Sequence, residues 1–348
     1  LKGLTVLGFD PAYRTGCKIA IIDETGKVLD ITTVYPTEPQ NDIEGAEKEL
    51  VRLINKDHVD MIAIGNGTAS RESEMFVSEM IKKCDHEVLY TIVSEAGASV
   101  YSASKLATEE YPDINVSIRG AISIARRLQD PLAEFVKIDP KSIGVGQYQH
   151  DVNQKKLEES LAGVVEDSVN KVGVDVNTAT PSLLSYVSGI NKTIAKNIVK
   201  YRDENGKLTE RKQLLKVPKL GKVAFEQCAG FIRIPDGKNA LENTAVHPES
   251  YESAEKLLNN LGYKVEDLKD KDKIREIKVK LADVNVKETA KQLEIGELTL
   301  NDIIDELGKP GRDPREDMPK PIFRQDVLKF EDLREGMILT GTVRNVID

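Results

Sequence analysis

The sequence contains no tryptophan, few aromatic residues and no paired cysteines, and each shortage argues against a class of protein. Aromatic residues make up 5% of the 348 residues, so surfaces that stack nucleic-acid bases should be few. Cys17, Cys84 and Cys228 lie far apart and form no C-x-x-C pattern, which supports neither a disulfide framework nor a thiolate zinc site. The four histidines are also scattered. We therefore expect a cytoplasmic protein without structural metal.

Long hydrophobic runs are also missing. No stretch approaches the roughly 20 apolar residues of a membrane-spanning helix. The first ten residues, LKGLTVLGFD, lack the pattern of a signal peptide. We therefore expect no membrane association, and the chain length predicts two or three domains.

Positive charge is scarce overall but concentrated in one segment. The net charge of −9 argues against a protein that is basic throughout. Residues 186–233, however, contain eleven Lys or Arg against four Asp or Glu, a local net charge of +7. A basic face of this kind suits phosphate binding, although a solvated helix surface would give the same count.

The first 135 residues alternate between strand and helix patterns. Three strands are predicted at 4–10, 17–23 and 27–34, with a turn at Thr25-Gly26. The other predicted elements are strands at 60–67 and 87–93, and helices at 41–56, 71–83, 99–109 and 117–128. This order implies a mixed sheet flanked by helices.

After Pro140 the patterns predict helices and no strands. Short helices are expected at 157–172, 181–187, 192–202, 210–216 and 222–229. Residues 250–307 are helical in pattern and highly charged, and 308–321 form a Pro/Gly linker. The final stretch, LREGMILTGTVRNVID, starts like a β-barrel and stops. Because one or two strands cannot bury a core, we expect the chain to be a fragment cut at its C-terminus.

Three stretches in the first part resemble the RNase H-like fold in its YqgF branch, relatives of the RuvC junction resolvases. They are GFDPAYRTG, VSEAGAS and RLQDPLAE. The resemblance implies one site made of Asp10, Glu95 and Asp130, with Asp10 and Asp130 as candidate metal ligands. Nucleases of this fold hold two Mg²⁺ ions between such carboxylates. Where they have an acid after the fourth strand, this chain has Asn66, which removes about one charge from the site.

Structural roles could also explain each of these carboxylates. Asp10 precedes a proline and could open a turn. Glu95 could cap the helix that begins near residue 98, and Asp130, also before a proline, could end a helix. The sequence leaves both interpretations open.

Two stretches read as helix-hairpin-helix motifs, SLLSYVSGINKTIAKNIVKYRDENGKL and QLLKVPKLGKVAFEQCAGFIRI. Gly189 and Gly221 are predicted to hold turns with positive φ, which lets the backbone approach a ligand closely. Helix N-termini beside such turns favour phosphate over bases, so binding should be independent of sequence. A plain αα-hairpin whose glycine ends a helix is the alternative. The candidate binding residues are Ser188, Gly189, Lys192, Lys196, Lys219, Gly221 and Lys222.

Further stretches extend the resemblance over nearly the whole chain, to the Tex family of bacterial transcription accessory proteins. They include GVGQYQHDVNQKKLEESL, AVHPESY and KPGRDPR. The resemblance implies a multidomain protein with an α/β RNase H-like domain, all-α helix-hairpin-helix domains and the start of an S1-type β-barrel. It also implies a helical region before Leu1 and a similarity to eukaryotic elongation factors of the Spt family. The expected segments are a YqgF-like domain (1–135), a tandem helix-hairpin-helix domain (140–235), a second helical domain (236–307), a linker (308–335) and a barrel start (336–348).

Three functions are compatible with these features. The favoured one is a monomeric, non-enzymatic scaffold that binds DNA and RNA, alongside the transcription machinery, and needs no cofactor. The alternative is a Mg²⁺-dependent, structure-specific nuclease that uses Asp10, Glu95 and Asp130. The highly charged helices at 250–307 would also suit a protein-interaction platform.

Overall fold

The computed structural model describes residue 1 and residues 3–308. Its first part, the α/β domain, is built on a mixed five-stranded sheet with the order β3-β2-β1-β4-β5. The first three strands are antiparallel neighbours, whereas β4 pairs in parallel with both β1 and β5. All five predicted strands are confirmed, with bounds of β1 (Val6–Asp10), β2 (Cys17–Ile22), β3 (Val28–Val34), β4 (Met61–Gly65) and β5 (Leu89–Val93).

Helices cover both faces of this sheet. They are α1 (Ile43–Asp57), α2 (Ser70–Met80), α3 (Ala98–Ser102), α4 (Lys105–Glu110) and α5 (Val116–Gln129). The single helix predicted at 99–109 is two helices, because the Ser104 hydroxyl accepts from the Ala107 N–H and starts a new one.

Strand β1 alternates between the two faces, and this alternation positions Asp10. Leu7 and Phe9 join the core beneath α1 and α2. Gly8 and Asp10 point the other way, toward α5. A Cβ at Gly8 would lie 2.0 Å from the carbonyl oxygen of Ala121, so α5 crosses β1 in direct backbone contact. Asp10 is therefore covered by the N-terminal half of α5.

Three helices lead out of the α/β domain, α6 (Pro131–Phe135), α7 (Pro140–Ile143) and α8 (Gln154–Val172). Apolar side chains of the α6 region pack into the core of the unit that follows. Polar contacts reinforce this junction: Arg126 donates to the Thr178 carbonyl at 3.0 Å, and the Thr178 hydroxyl donates to Asp130 at 2.7 Å. The α/β domain is therefore directly attached to the next unit.

That next unit, residues 174–233, is termed the tandem unit. It comprises β6 (Val174–Asp175), α9 (Pro181–Leu184), α10 (Lys192–Asn205), a 3₁₀ helix (Arg211–Lys216), α11 (Lys222–Cys228) and β7 (Ile232–Arg233). The expectation that no strand follows Pro140 is wrong, because β6 and β7 pair in parallel and close the unit. Two-residue strands are too short to show an alternating pattern in sequence.

Residues 236–307, the C-terminal helical domain, form a separate apolar core. Its helices are α12 (Tyr251–Asn260), α13 (Lys271–Ala282), α14 (Val286–Gln292) and α15 (Glu297–Leu307). From residue 309 onward, the predicted linker and the predicted barrel start lie outside the described residues. Among the helices described here, none has the length and apolar character needed to cross a membrane.

Candidate nucleic-acid interface

Two regions contain the residues predicted from sequence, a carboxylate pocket in the α/β domain and the turns of the tandem unit. Asp10 and Glu95 line the same pocket, a cavity of about 260 Å³ at the carboxyl ends of β1, β4 and β5. In sheets with parallel strands this edge is the usual location of ligand sites. The structure therefore brings two of the three predicted carboxylates together.

The Asp10 carboxyl group is strongly influenced by its surroundings. Burial and the nearby charge of Glu95 raise the pKa of Asp10 to about 6, against the opposing charge of Lys18. The Lys18 ammonium group donates to the carbonyl oxygens of Thr15 and Gly16. The pocket thus holds two carboxylates near one lysine, which donates to the Thr15 hydroxyl and to two backbone carbonyl oxygens.

Gly120 on α5 is a pocket residue that the sequence reasoning missed. A Cβ at this position would lie 2.7 Å from Oδ2 of Asp10, so any larger residue here would have to displace the carboxylate. An isolated glycine inside the helical stretch SIRGAIS was the available signal.

Asn66 holds the loop that carries Glu95. Its side-chain oxygen accepts from the Glu95 backbone N–H at 3.0 Å. A Cβ at Gly67 would lie 1.8 Å from Oε1 of Glu95, so the carboxylate lies directly over this glycine. Asn66 therefore fixes the position of Glu95 through its backbone.

Asp130 does not join this pocket, which corrects the expectation that the three carboxylates converge. It follows α5, ten residues beyond Gly120, which is about 15 Å along the helix axis. Its carboxylate is buried, accepts from the Ala133 N–H at 3.2 Å and accepts from the Thr178 hydroxyl. Asp130 thus caps α6 and joins the α/β domain to the tandem unit.

The residues of the pocket do not fit a pair of Mg²⁺ ions. Within residues 3–308, no group of three or more Asp, Glu, His or Cys side chains is arranged to hold a metal. Asp10 and Glu95 supply two carboxylates, and the oxygen of Asn66 is engaged by the loop. Mg²⁺ gives up its water reluctantly and is held by several anionic oxygens. The two carboxylates of this pocket are therefore too few to hold a pair of these ions.

The two predicted hairpins are present and repeat with an offset of 30 residues. The first hairpin is α9, a turn and α10, and the second is the 3₁₀ helix Arg211–Lys216, a turn and α11. VSGINK at 187–192 corresponds to VPKLGK at 217–222. Both turns close with the same bond, from Ile190 N–H to Val187 O and from Leu220 N–H to Val217 O, each 3.1 Å.

The hairpins also pack against each other reciprocally. A Cβ at Gly189 would lie 2.8 Å from Cβ of Gln227 on α11. At the equivalent contact, the Asn197 side chain on α10 donates to the Pro218 carbonyl at 2.8 Å. Each turn therefore rests on the second helix of the other hairpin. This arrangement gives the two turns and the N-termini of α10 and α11 equivalent positions in the unit.

The left-handed position is the same in both turns, but a different type of residue occupies it. Gly189 has φ +79°, as predicted, whereas its counterpart is Lys219 with φ +69°. Gly221 has φ −83°, so the expectation of a positive φ there is wrong. Gly221 corresponds instead to Asn191, the residue that starts the helix. The reason is the 30-residue register, which places a lysine where the first hairpin has glycine.

The helix N-termini differ as well. Asn191 caps α10 by accepting from the N–H groups of Thr193 and Ile194, each at 3.0 Å. Gly221 has no side chain and gives α11 no such cap. The predicted binding residues at these turns are exposed, except for Gly189, which is half-buried; the exposed ones are Ser188, Lys192, Lys196, Lys219, Gly221 and Lys222.

Not all basic residues of the segment reach the surface. Arg202 is buried and donates to the carbonyl oxygens of Val176 and Ala179. Arg211 is fully buried and donates to several carbonyl oxygens in and beyond the unit. Without these two arginines the local net charge falls from +7 to +5. The remaining positive charge comes mainly from exposed lysines at and near the turns.

Comparison with known proteins matches these regions to named domains. Residues 4–129 match the Tex protein YqgF-like domain, 169–233 the helix-hairpin-helix motif and 239–315 the HHH domain. Protein tex of Bordetella pertussis is 54% identical over 346 residues, which covers 98% of this chain and 42% of that protein. The chain belongs to the Tex family.

Other relatives extend the similarity. Transcriptional accessory protein Tex of Neisseria gonorrhoeae is 52% identical over 345 residues, covering 99% of this chain and 44% of that protein. S1 RNA-binding domain-containing protein 1 of Homo sapiens is 39% identical over 397 residues, covering 99% of the chain and 40% of that protein. The chain thus spans less than half the length of these three relatives.

Proposed function

We propose that this part of the Tex-family protein is a nucleic-acid-binding scaffold of a transcription accessory factor. In this proposal the two hairpin turns contact phosphates and not bases, so binding does not depend on sequence. The reciprocal packing of the hairpins is the observation that supports it most strongly, because it gives Lys192 and Lys222 equivalent positions at the starts of α10 and α11. Helix N-termini with adjacent lysines are favourable for phosphate.

The test is a salt titration of duplex and single-stranded DNA binding. We expect Lys192/Lys196/Lys222→Ala to weaken binding to all sequences alike. Because each lysine releases about one counterion from the nucleic acid, the slope of log K against log salt should flatten by roughly three units.

The matched control removes three exposed lysines from the α/β domain, Lys48/Lys82/Lys83→Ala, and so makes the same change in net charge. This control should keep most of the affinity and slope of the wild type. If the hairpin variant binds as tightly as the wild type, the turns serve only to pack the unit.

We further propose that the α/β domain acts without cleavage, in the cytoplasm and within a monomeric protein that works beside the transcription machinery. The donor set of the carboxylate pocket supports the first point, since Asp10 and Glu95 lack a third acid beside them in the described structure. Junction and single-stranded substrates should stay intact with Mg²⁺ or Mn²⁺. Cleavage that Asp10→Asn abolishes would establish the nuclease alternative instead.

A further inference from the structure

A cleft separates the α/β domain from the first hairpin, and the functions described so far do not use it. It encloses about 670 Å³. One wall is α10, and the opposite wall is formed by the β2–β3 turn at Gly26–Val28 and by the end of α4. Arg126 and Arg202, both buried, also line the cleft.

A row of lysines leads from the hairpin turn into this cleft. Lys192, Lys196 and Lys200 are spaced four residues apart on α10, so they follow one face of the helix in steps of about 6 Å. Lys192 begins the helix at the turn, whereas Lys196 and Lys200 line the cleft. The helix therefore connects the proposed phosphate contacts at the turn with the interior of the cleft.

The acidic residues of the cleft are matched by cations. Four carboxylates line it, and each lies within 4 Å of a basic nitrogen, in the pairs Glu109–Lys105, Glu110–Lys137, Asp203–Arg202 and Glu204–Lys200. Lys27 and Lys196 form no salt bridge within residues 3–308. The Lys200 pair is exposed and long, at 3.8 Å, and such pairs are weak enough to exchange for a phosphate.

We propose, building on the function proposed above, that this cleft binds a single nucleic-acid strand that continues from a duplex held at the hairpins. A volume of 670 Å³ corresponds to the size of a small ligand and holds a short piece of one strand. A duplex, whose major groove alone is about 12 Å wide, does not fit. Lys27, Lys196 and Lys200 face the phosphates, and Val28, Leu106 and Val199 give the bases apolar contacts.

The test compares a blunt duplex with the same duplex carrying a single-stranded tail of about eight nucleotides, within the range of known single-strand sites. Tails of DNA and of RNA, at the 3′ or the 5′ end, are measured by fluorescence anisotropy. The cleft variant is Lys27/Lys200→Ala, and the hairpin variant is Lys192/Lys222→Ala. The control is Lys155/Lys156→Ala, which removes two exposed lysines at the start of α8, outside the cleft.

We expect a tail to increase the affinity of the wild type and to steepen its salt slope by about two units, because Lys27, Lys196 and Lys200 would contact about three phosphates of a single strand. The cleft variant should lose this gain and bind the blunt duplex normally. Val199→Ala, which removes an apolar contact of the cleft without changing its charge, should reduce the gain and leave binding of the blunt duplex unchanged. An increase in affinity with either a DNA or an RNA tail supports the proposal and shows which nucleic acid the cleft binds.

The proposal is overturned if tails add no affinity to the wild type, or if the cleft variant weakens blunt and tailed duplexes equally. Failure of the hairpin function has a different signature, because the hairpin variant would then bind the blunt duplex as well as the wild type. The affinity of the two variants for the blunt duplex therefore distinguishes the two hypotheses.

Discussion

The two hairpins have the same turn, but each is anchored by hydrogen bonds to a different neighbouring domain. The first starts at Thr180, whose hydroxyl accepts from the Leu183 N–H and donates to the Ala133 carbonyl of α6, at the edge of the α/β domain. The second starts next to Arg211, which donates to the carbonyl oxygens of Leu241 and Val246 in the C-terminal helical domain. The comparison shows how one repeated motif joins two different neighbours, each through the residues at its own beginning.

The largest effect should come from breaking the anchor of the second hairpin. Arg211→Ala removes the guanidinium group that donates to the buried Glu242 carboxylate and to several carbonyl oxygens, so Glu242 keeps the backbone N–H of residue 211 but loses its cation. We expect a loss of about 3–5 kcal/mol in the free energy of unfolding. Thr180→Ala, at the first anchor, should cost only about 0.5–2 kcal/mol. Urea denaturation measures both, and hydrogen exchange of peptides from 229–246 should locate the Arg211 effect.

The neighbouring Lys212→Ala is the control for Arg211, because Lys212 is exposed. It should leave stability within about 0.5 kcal/mol of the wild type. Equal losses for Arg211→Ala and Lys212→Ala would mean that the buried network does not anchor the second hairpin.

Substitution of the two turn glycines should give the next largest difference in the free energy of unfolding. Gly189→Ala forces a left-handed backbone on alanine and places its Cβ 2.8 Å from Gln227 and 2.9 Å from the Ala224 carbonyl oxygen. We expect a cost of about 2–4 kcal/mol. Gly221→Ala meets no heavy atom within 4 Å and keeps an ordinary φ, so it should cost under about 1 kcal/mol. Similar melting temperatures for the two variants would contradict the assignment of the turns.

A substitution at Lys219 should stabilise its turn, in contrast to the substitutions described above. Lys219→Gly relieves a left-handed lysine, and we expect a gain of about 0.5–1 kcal/mol after the added freedom of the unfolded chain is counted. If this lysine contacts phosphate, the same variant should bind duplex DNA more weakly, with a salt slope about one unit flatter. Thermal unfolding and a salt titration on one preparation measure both quantities. A variant that is less stable than the wild type would show that the turn needs the lysine side chain.

The smallest effect concerns the missing cap of the second hairpin. Gly221→Asn introduces the residue found at the equivalent position of the first hairpin, Asn191. The new side chain can accept from the first N–H groups of α11, which should stabilise the unit by a few tenths of a kcal/mol. Because those N–H groups would no longer be free for phosphate, affinity for duplex should fall. A rise in affinity would indicate that α11 contacts phosphate only through its lysines.

Much of the fold follows from patterns in the sequence. The five strands are short, mostly apolar runs bounded by turn residues, and the two hairpins share a visible motif. The paired strands β6 and β7 were missed because two residues carry no period, and α3 and α4 were merged because the cap at Ser104 was not recognised.

The site was less predictable, because it depends on distances through space. Motif order suggested that Asp130 joins Asp10, but the length of α5 separates them. The positive φ of Lys219 and the burial of Arg202 and Arg211 depend on tertiary packing, which side-chain type alone does not reveal. The 30-residue register between the hairpins was present in the sequence and would have assigned Gly221 correctly.

The pairing of β6 with β7 also determines how the tandem unit carries mechanical load. Val174 lies beside Ile232 and Asp175 beside Arg233, so the chain enters and leaves the unit at adjacent points. Tension between the two flanking domains acts on the start of one strand and the end of its parallel partner, which loads their hydrogen bonds in shear. The hairpin turns lie on the loop between these strands. A pull along the chain is therefore borne at the closure of the unit before it reaches the turns.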